Sequence, residues 1–182
     1  EVRQFIRDNA LMWLEDYHGD GLRLDMTLFM RNVRGNGDPG GDLPDGWSLV
    51  QWINREVHEK FPHRITIAED LQNDDRLTKP VDQGGAGFTA QWGARFVHPI
   101  RAAVITSSDE NRSLDSVRQA LEDCYNGDPF QRVIYSESHD AITPGKSRVP
   151  TEIDPKNPQR WTAQKRTTST HTPDVPAPVP TI

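Results

Sequence analysis

The 182-residue sequence has one cysteine, no cluster of basic residues and no long apolar run. Each absence removes a class of protein. A lone thiol, Cys124, cannot build an internal disulfide framework. Its place in a helical pattern predicts a buried apolar filler. No segment approaches the ~18 apolar residues of a membrane-spanning helix. The charge balance is acidic, with 21 Lys and Arg against 27 Asp and Glu for a net of -6, which makes nucleic acid a poor partner. The six histidines are scattered without zinc-ligand spacing, so no metal site is expected. The opening residues, Glu1-Val2-Arg3-Gln4, lack the features of a secretory leader. A cytoplasmic protein without membrane contact is therefore expected. A glycine-rich phosphate loop after the first strand and a G-x-S-x-G nucleophile elbow are missing too.

What is present suffices for one domain with a modest core. Hydrophobic residues make up 34% of the chain, and the mean hydropathy is -0.74. Five Trp and six Phe keep the chain out of the disordered class.

Residues 1–18 carry Val2, Phe5, Ile6, Ala10, Trp13, Leu14 and Tyr17 at spacings of three and four. That pattern predicts an amphipathic helix, stopped by His18-Gly19-Asp20-Gly21. Leu22-Arg23-Leu24-Asp25-Met26 alternates with period two, as a strand does. Residues 34–46 are a loop rich in Gly, Pro and Asp. A helix is expected from about Ser48 to Lys60, ended by Pro62. The strand Arg64 to Glu69 follows, closing on Glu69 and Asp70. Gly84, Gly85 and Gly87 read as a turn before a weak strand, Phe88 to Trp92. Residues 94–106 are expected to be helical, with Phe96, Val97, Ile100, Ala103 and Val104 inward. Ser113 is a candidate N-cap for a helix whose Leu114, Val117, Leu121 and Cys124 share a face. Gln131 to Ser136 is a fourth strand, running into Glu137-Ser138-His139-Asp140. A Pro-rich loop and a helix at about 158–167 come last.

Helix and strand thus alternate about four times, with strands too far apart for hairpins. Parallel strands joined by helical crossovers are implied. A doubly wound open sheet and part of a (β/α)8 barrel both satisfy this pattern. In either, the C-terminal strand ends form the active face, and that is where Asp25, Glu69, His139 and Asp140 fall. Arg23 and Asp25 are two apart, so they point the same way, and Leu22 and Leu24 point to the helices. An arginine beside Asp25 keeps that carboxylate ionised, which suits a nucleophile. Glu69 shares its face with Ile65 and Ile67, and a less polar setting favours the neutral acid, which suits a proton donor. Two carboxyls in unlike settings on neighbouring strands are what a glycosidase uses.

The literal residues sharpen this. Asp20-Gly21-Leu22-Arg23-Leu24-Asp25 resembles the fourth-strand motif of the alpha-amylase family of glycoside hydrolases. Thr66-Ile67-Ala68-Glu69-Asp70 resembles its fifth-strand motif, and Ser136-Glu137-Ser138-His139-Asp140 its seventh. Forty-four residues separate Asp25 from Glu69 and 71 separate Glu69 from Asp140, as one and then two βα units would. The sequence IAED, the ESHD ending and the run Gly145-Lys146 to Trp161 with Lys165-Arg166 place the likeness on the branching-enzyme and trehalohydrolase side of that family. The resemblance implies a partial (β/α)8 TIM barrel, strands 4 to 7 with their helices, truncated at both ends. It would span residues 1–166, followed by a Thr/Pro-rich disordered tail at 167–182 that suggests a truncated or frame-shifted gene. It further implies a retaining enzyme acting on an alpha-glucan or maltooligosaccharide, a hydrolase or glucanotransferase without a cofactor. Asp25 would be the nucleophile, Glu69 the general acid/base and Asp140 the third catalytic carboxylate. Arg23 and His139 would bind substrate. An isolated fragment of this kind would be inactive, or at best a weak carbohydrate binder. The family's third-strand motif, an Asp followed by Asn-His, does not occur.

Other residues call for plainer readings. His18 is expected at a helix end, and Trp47 and Trp52 in packing. Asp38, Asp42 and Asp45 lack the alternation of a calcium loop, so a solvated loop is expected.

Overall fold

The computed structural model describes residues 1–140 and 147–155. Helix α1 (Val2–Glu15) leads into strand β1 (Gly21–Leu24), the short helix α2 (Thr27–Arg31) and helix α3 (Pro44–Lys60). Strand β2 (Ile65–Ala68), strand β3 (Ala90–Trp92) and helices α4 (Ala94–Ile105) and α5 (Leu114–Glu122) follow. Strand β4 (Arg132–Val133) and helix α6 (Val149–Ile153) complete the described elements. The protein is α/β. Its four strands form one wholly parallel sheet in the order β1-β2-β3-β4. Each strand pairs with the next in the chain, so the sheet is wound in one direction. A doubly wound sheet instead needs a point where the strand order reverses. The observed order is compatible with consecutive strands of a (β/α)8 barrel.

Register follows from burial. Leu22 and Leu24 turn towards the helices and pack on two apolar clusters. The first joins Leu11 and Leu14 of α1 to Leu49, Ile53 and Val57 of α3. The second holds Val50, Ala68, Leu77, Ala86 and Phe88. With alternate side chains committed to these clusters, a one-residue slip would turn them out into water. The other face of the sheet carries Arg23, Ile65 and Ile67, and Ile65 is exposed.

Several expected boundaries and faces shift. Helix α1 ends at Glu15, and His18 lies beyond it with a left-handed φ of 55°. Its buried residues are Leu11 and Leu14, whereas Val2, Phe5, Trp13 and Tyr17 are exposed. The apolar stripe of α1 is wider than the surface it meets here, and the sheet selects only one flank. Helix α3 starts at Pro44, inside the stretch expected as loop, because proline is preorganised for a first helical turn. Ser113 does cap α5, its Oγ accepting from the Ser116 amide at 3.1 Å. Of the expected inward face, however, Leu114 and Leu121 are exposed and Ala120 is buried instead. Val104 of α4 is exposed as well. Cys124 is half-buried beyond the end of α5, not a core filler within it. Strand β4 is only Arg132–Val133, and α6 stands where a Pro-rich loop was expected. Gly84 closes a 3-10 turn at φ 80°, as the expected turn requires. Trp52 packs on the first cluster and Trp47 on the second. The expected helix at 158–167 and the tail from 167 lie outside the described residues.

Candidate active site

The parallel register puts the strand ends level. Leu24 pairs with Ala68, and Ala68 with Gln91, so Asp25, Glu69 and Trp92 are the next residues on three adjacent strands and share a face. Trp92 in turn pairs with Val133, two residues before Tyr135. The sheet thereby delivers Arg23, Asp25, Glu69, Trp92 and Tyr135 to one spot, and His139 and Asp140 follow from the end of β4.

Arg23 sits at the centre. Its Nη1 donates to the Asp25 carboxylate at 2.6 Å, and its Nη2 lies 3.9 Å from Glu69 Oε2. The two carboxylates on neighbouring strands therefore flank a single guanidinium. Their surroundings are unlike, as expected from the sequence. The Asp25 side chain is 69% exposed, and that of Glu69 is 3% exposed. Burial of Glu69 is compensated on one side: Oε2 accepts from the Met26 amide at 2.7 Å. Met26 precedes α2 in the left-handed conformation, φ 46°, which aims that amide back at the carboxylate. The Glu69 backbone is clamped as well. Its carbonyl accepts from the Thr27 amide at 2.8 Å and the Thr27 hydroxyl at 2.9 Å, and its amide donates to the Leu24 carbonyl at 3.0 Å.

Behind this clamp is a group of buried charges. Asp70 takes two hydrogen bonds from Arg31, both at 2.8 Å. Arg31 also lies within ion-pair distance of Asp42 and Asp74, and Arg76 bonds both of these acids. Asp42 is therefore tied to arginines, not solvated as the loop composition suggested, and Asp38 is likewise engaged by Arg34. No group of three His, Cys, Asp or Glu side chains suited to a metal ion occurs among the described residues.

Aromatic rings wall the other side. The Arg23 guanidinium lies over Trp92 at 4.2 Å, the Tyr135 ring is 4.8 Å from Trp92, and His139 meets Trp92 edge-on at 6.3 Å. His139 Nε2 lies 3.5 Å from Asp140 Oδ2. Burial raises the Tyr135 phenol above its ordinary range, the charges of Glu69 and Asp140 add to this, and Arg23 opposes it. The phenol is thus held as a neutral donor. All five residues chosen from the sequence converge at this end of the sheet. Trp92 and Tyr135 were not singled out as site residues, although the period-two alternation back from the motif at 136–140 places Tyr135 on the required face. Arg31 and Asp70 carried no local signal of pairing, being 39 residues apart.

A groove of about 680 Å³ opens along the outer edge of β1, between Trp13 of α1, Tyr17 just beyond that helix, and Arg23 and Asp25. No described helix is long and apolar enough to cross a membrane.

No family model matches the chain. It is 39% identical over 106 residues to the 1,4-alpha-glucan branching enzyme GlgB of Pseudoalteromonas atlantica, a match covering 53% of this chain and 14% of that enzyme. The GlgB branching enzyme of Photobacterium profundum gives 39% over 106 residues, covering 53% and 15%. That of a Shewanella species gives 28% over 163 residues, covering 82% and 21%. The chain spans only about a seventh to a fifth of the length of these relatives. By sequence, this chain is similar to one stretch of the 1,4-alpha-glucan branching enzymes.

Proposed function

We propose that β1 to β4 are strands four to seven of a (β/α)8 barrel and that the chain supplies the reacting carboxylates of an alpha-glucan-acting retaining enzyme. The observation that carries this reading is one guanidinium, Arg23, flanked by Asp25 and Glu69 at the C-terminal ends of adjacent parallel strands. In this mechanism Asp25 attacks the anomeric carbon of a glucan while Glu69 protonates the departing glycosidic oxygen. A glycosyl ester on Asp25 results. Glu69, now ionised, takes the proton of an acceptor hydroxyl, which displaces Asp25 and retains the anomeric configuration. Water as acceptor gives hydrolysis, and a second glucan chain gives transfer. Arg23 pairs with Asp25 and orients it, and His139 and Asp140 hold sugar hydroxyls. No cofactor takes part, and a cytoplasmic setting accords with a single thiol.

Among the described residues β1 and β4 each pair on one side only, and Ile65 and Ile134 are exposed. Catalysis needs donors preorganised around the sugar and exclusion of water. We therefore infer that residues 1–182 alone bind glucan weakly at most and do not turn it over. Maltooligosaccharide cleavage and transfer would be assayed for this chain alone and for a chimera in which homologous strands complete the barrel. The chimera is expected to be active and to lose activity in Asp25→Asn and in Glu69→Gln. Activity surviving both substitutions would sink the mechanism, and activity of the isolated chain above its own Asp25→Asn control would sink the requirement for further strands.

A further inference from the structure

Trp92 is enclosed by polar and aromatic neighbours. The Arg23 guanidinium covers its ring at 4.2 Å, Tyr135 leans on it at 4.8 Å and 50°, and His139 approaches at 6.3 Å and 73°. Trp92 is half-buried, and the guanidinium lies over its ring. Apart from the ring, the arginine is held by Asp25 and by the Glu69 carboxylate 3.9 Å from its Nη2. Its one short hydrogen bond runs to Asp25, whose side chain is mostly in solvent. Exposed pairs of this kind barely restrain a long side chain. Its Nε and Nη2 meet no hydrogen-bond partner among the described residues. The Asp25 bond and the 3.9 Å approach to Glu69 leave the plane of the guanidinium unset. A guanidinium over an indole is held by the ring's electron-rich face, and indole is the strongest side chain for this purpose.

We propose that Trp92 is a positioning residue that fixes the plane of Arg23, so that one cation serves both Asp25 and Glu69 and His139 is ordered against the same ring. This rests on the reading of Asp25 and Glu69 as the reacting pair. It adds a residue on the third strand of the sheet to a constellation otherwise drawn from the first, second and fourth.

The test uses the full chain, labelled with ¹⁵N, and NMR. The side-chain Nε–Hε signal of Arg23 is assigned by its disappearance in Arg23→Lys, and the Trp92 indole signal by its disappearance in Trp92→Phe. In the native chain the Arg23 signal is expected upfield, displaced by the ring current beneath it. Trp92→Leu should return it to the ordinary arginine position and move the His139 ring signals. Trp92→Phe, which keeps a ring, should rescue part of both, a pattern that lost packing alone would not give. Trp13→Leu serves as the control and should move neither. If Trp92→Leu does not fold, Arg23→Lys must still move the Trp92 indole and His139 signals. An Arg23 signal at the ordinary position in the native chain, or one unmoved by Trp92→Leu, would overturn the proposal. So would maltoheptaose moving the indole signal while leaving that of Arg23 in place, because Trp92 would then be a sugar platform. The spectra are read on the protein's own signals, so failure of the catalytic reading appears in the chimera assays and leaves this outcome unaffected.

Discussion

Arg31 and Asp70 meet in a two-point ion pair in which neither side chain reaches solvent: exposure is 1% for the arginine and 0% for the aspartate. The pair is 39 residues apart in sequence and joins α2 to the end of β2, one residue past Glu69. The Thr27 hydroxyl touches both the Glu69 carbonyl and, at 3.3 Å, Asp70 Oδ2, so the buried pair and the Glu69 clamp form one unit. Removing one partner of a buried pair leaves an uncompensated charge and costs about 3–5 kcal/mol. Arg31→Met is expected at that level, because it strands Asp70 and removes the cation facing Asp42 and Asp74. Asp70→Asn should cost less, since those two acids still face Arg31. Urea unfolding of both variants gives the order, and the reverse order would show that Asp42 and Asp74 contribute little.

Acid should weaken the fold in two windows. Partial desolvation by its neighbours lowers the His58 imidazole below its ordinary value, so the folded state favours the neutral ring. The stability linked to it is present above about pH 6.5 and is lost as pH falls below that. The loss should be small, because His58 sits at the surface beside Thr89. Asp74 acts lower. Burial alone would raise its carboxyl, but the hydrogen bonds from Arg76 and the charges of Arg31 and Arg76 outweigh this and hold it below the ordinary carboxylate range. Its contribution is present above about pH 4 and is lost as pH falls through the depressed folded value. Urea midpoints from neutrality down to strong acid should therefore show a shallow step, absent in His58→Gln, and then a steeper decline. Arg76→Met should be less stable at neutral pH and should converge on the native chain in acid.

Helix α5 gives a sharper contrast. Ser113→Ala removes a cap that satisfies an otherwise orphaned amide, at a cost of about 0.5–2 kcal/mol. Leu121→Lys should change stability by no more than about 0.5 kcal/mol, because Leu121 is exposed. Had the expected face been the buried one, truncating that leucine would cost about 2–5 kcal/mol. Equilibrium denaturation of the two variants separates these readings.

Features set by neighbouring residues are legible in the sequence, and features set by docking of elements are not. Period-two alternation needs only neighbouring residues, and it correctly put Arg23 and Asp25 on one face with Leu22 and Leu24 on the other. Ser113 was legible because a cap and its amide lie three residues apart. The faces of α1 and α5 were not. Val2, Phe5, Leu114 and Leu121 satisfy helical spacing as well as the residues that are buried, and only the position of the sheet decides which flank is covered. The start of α3 was hidden because Pro44 serves a loop and a first helical turn equally well. Trp92 was placed on its strand, but its partnership with Arg23 depends on strand register across a separation of 69 residues. Arg31 and Asp70 likewise declare themselves only once α2 is docked.

Gly46 lies in the first turn of α3, where that helix crosses α2. A methyl group on its Cα would sit 1.6 Å from the Met30 carbonyl oxygen and 2.7 Å from the carbonyl carbon. Both are backbone atoms, so no side chain can swing aside to relieve the overlap. Overpacking in a dense interior typically costs about 1–3 kcal/mol through forced shifts, and with backbone as the obstacle Gly46→Ala should reach the top of that range or exceed it. Relief requires α2 to move, and α2 with the preceding Met26 carries the amides that hold Glu69 and the Arg31 that holds Asp70. Gly84→Ala provides the comparison: nothing lies within 4 Å of a methyl group there, and the penalty is only that of a left-handed φ. Urea unfolding should place Gly46→Ala well below Gly84→Ala. Amide exchange at Met26 and Thr27 should accelerate in the first variant and stay unchanged in the second. Protection of those two amides in a destabilised Gly46→Ala chain would show that the Glu69 clamp does not depend on the crossing of α2 and α3.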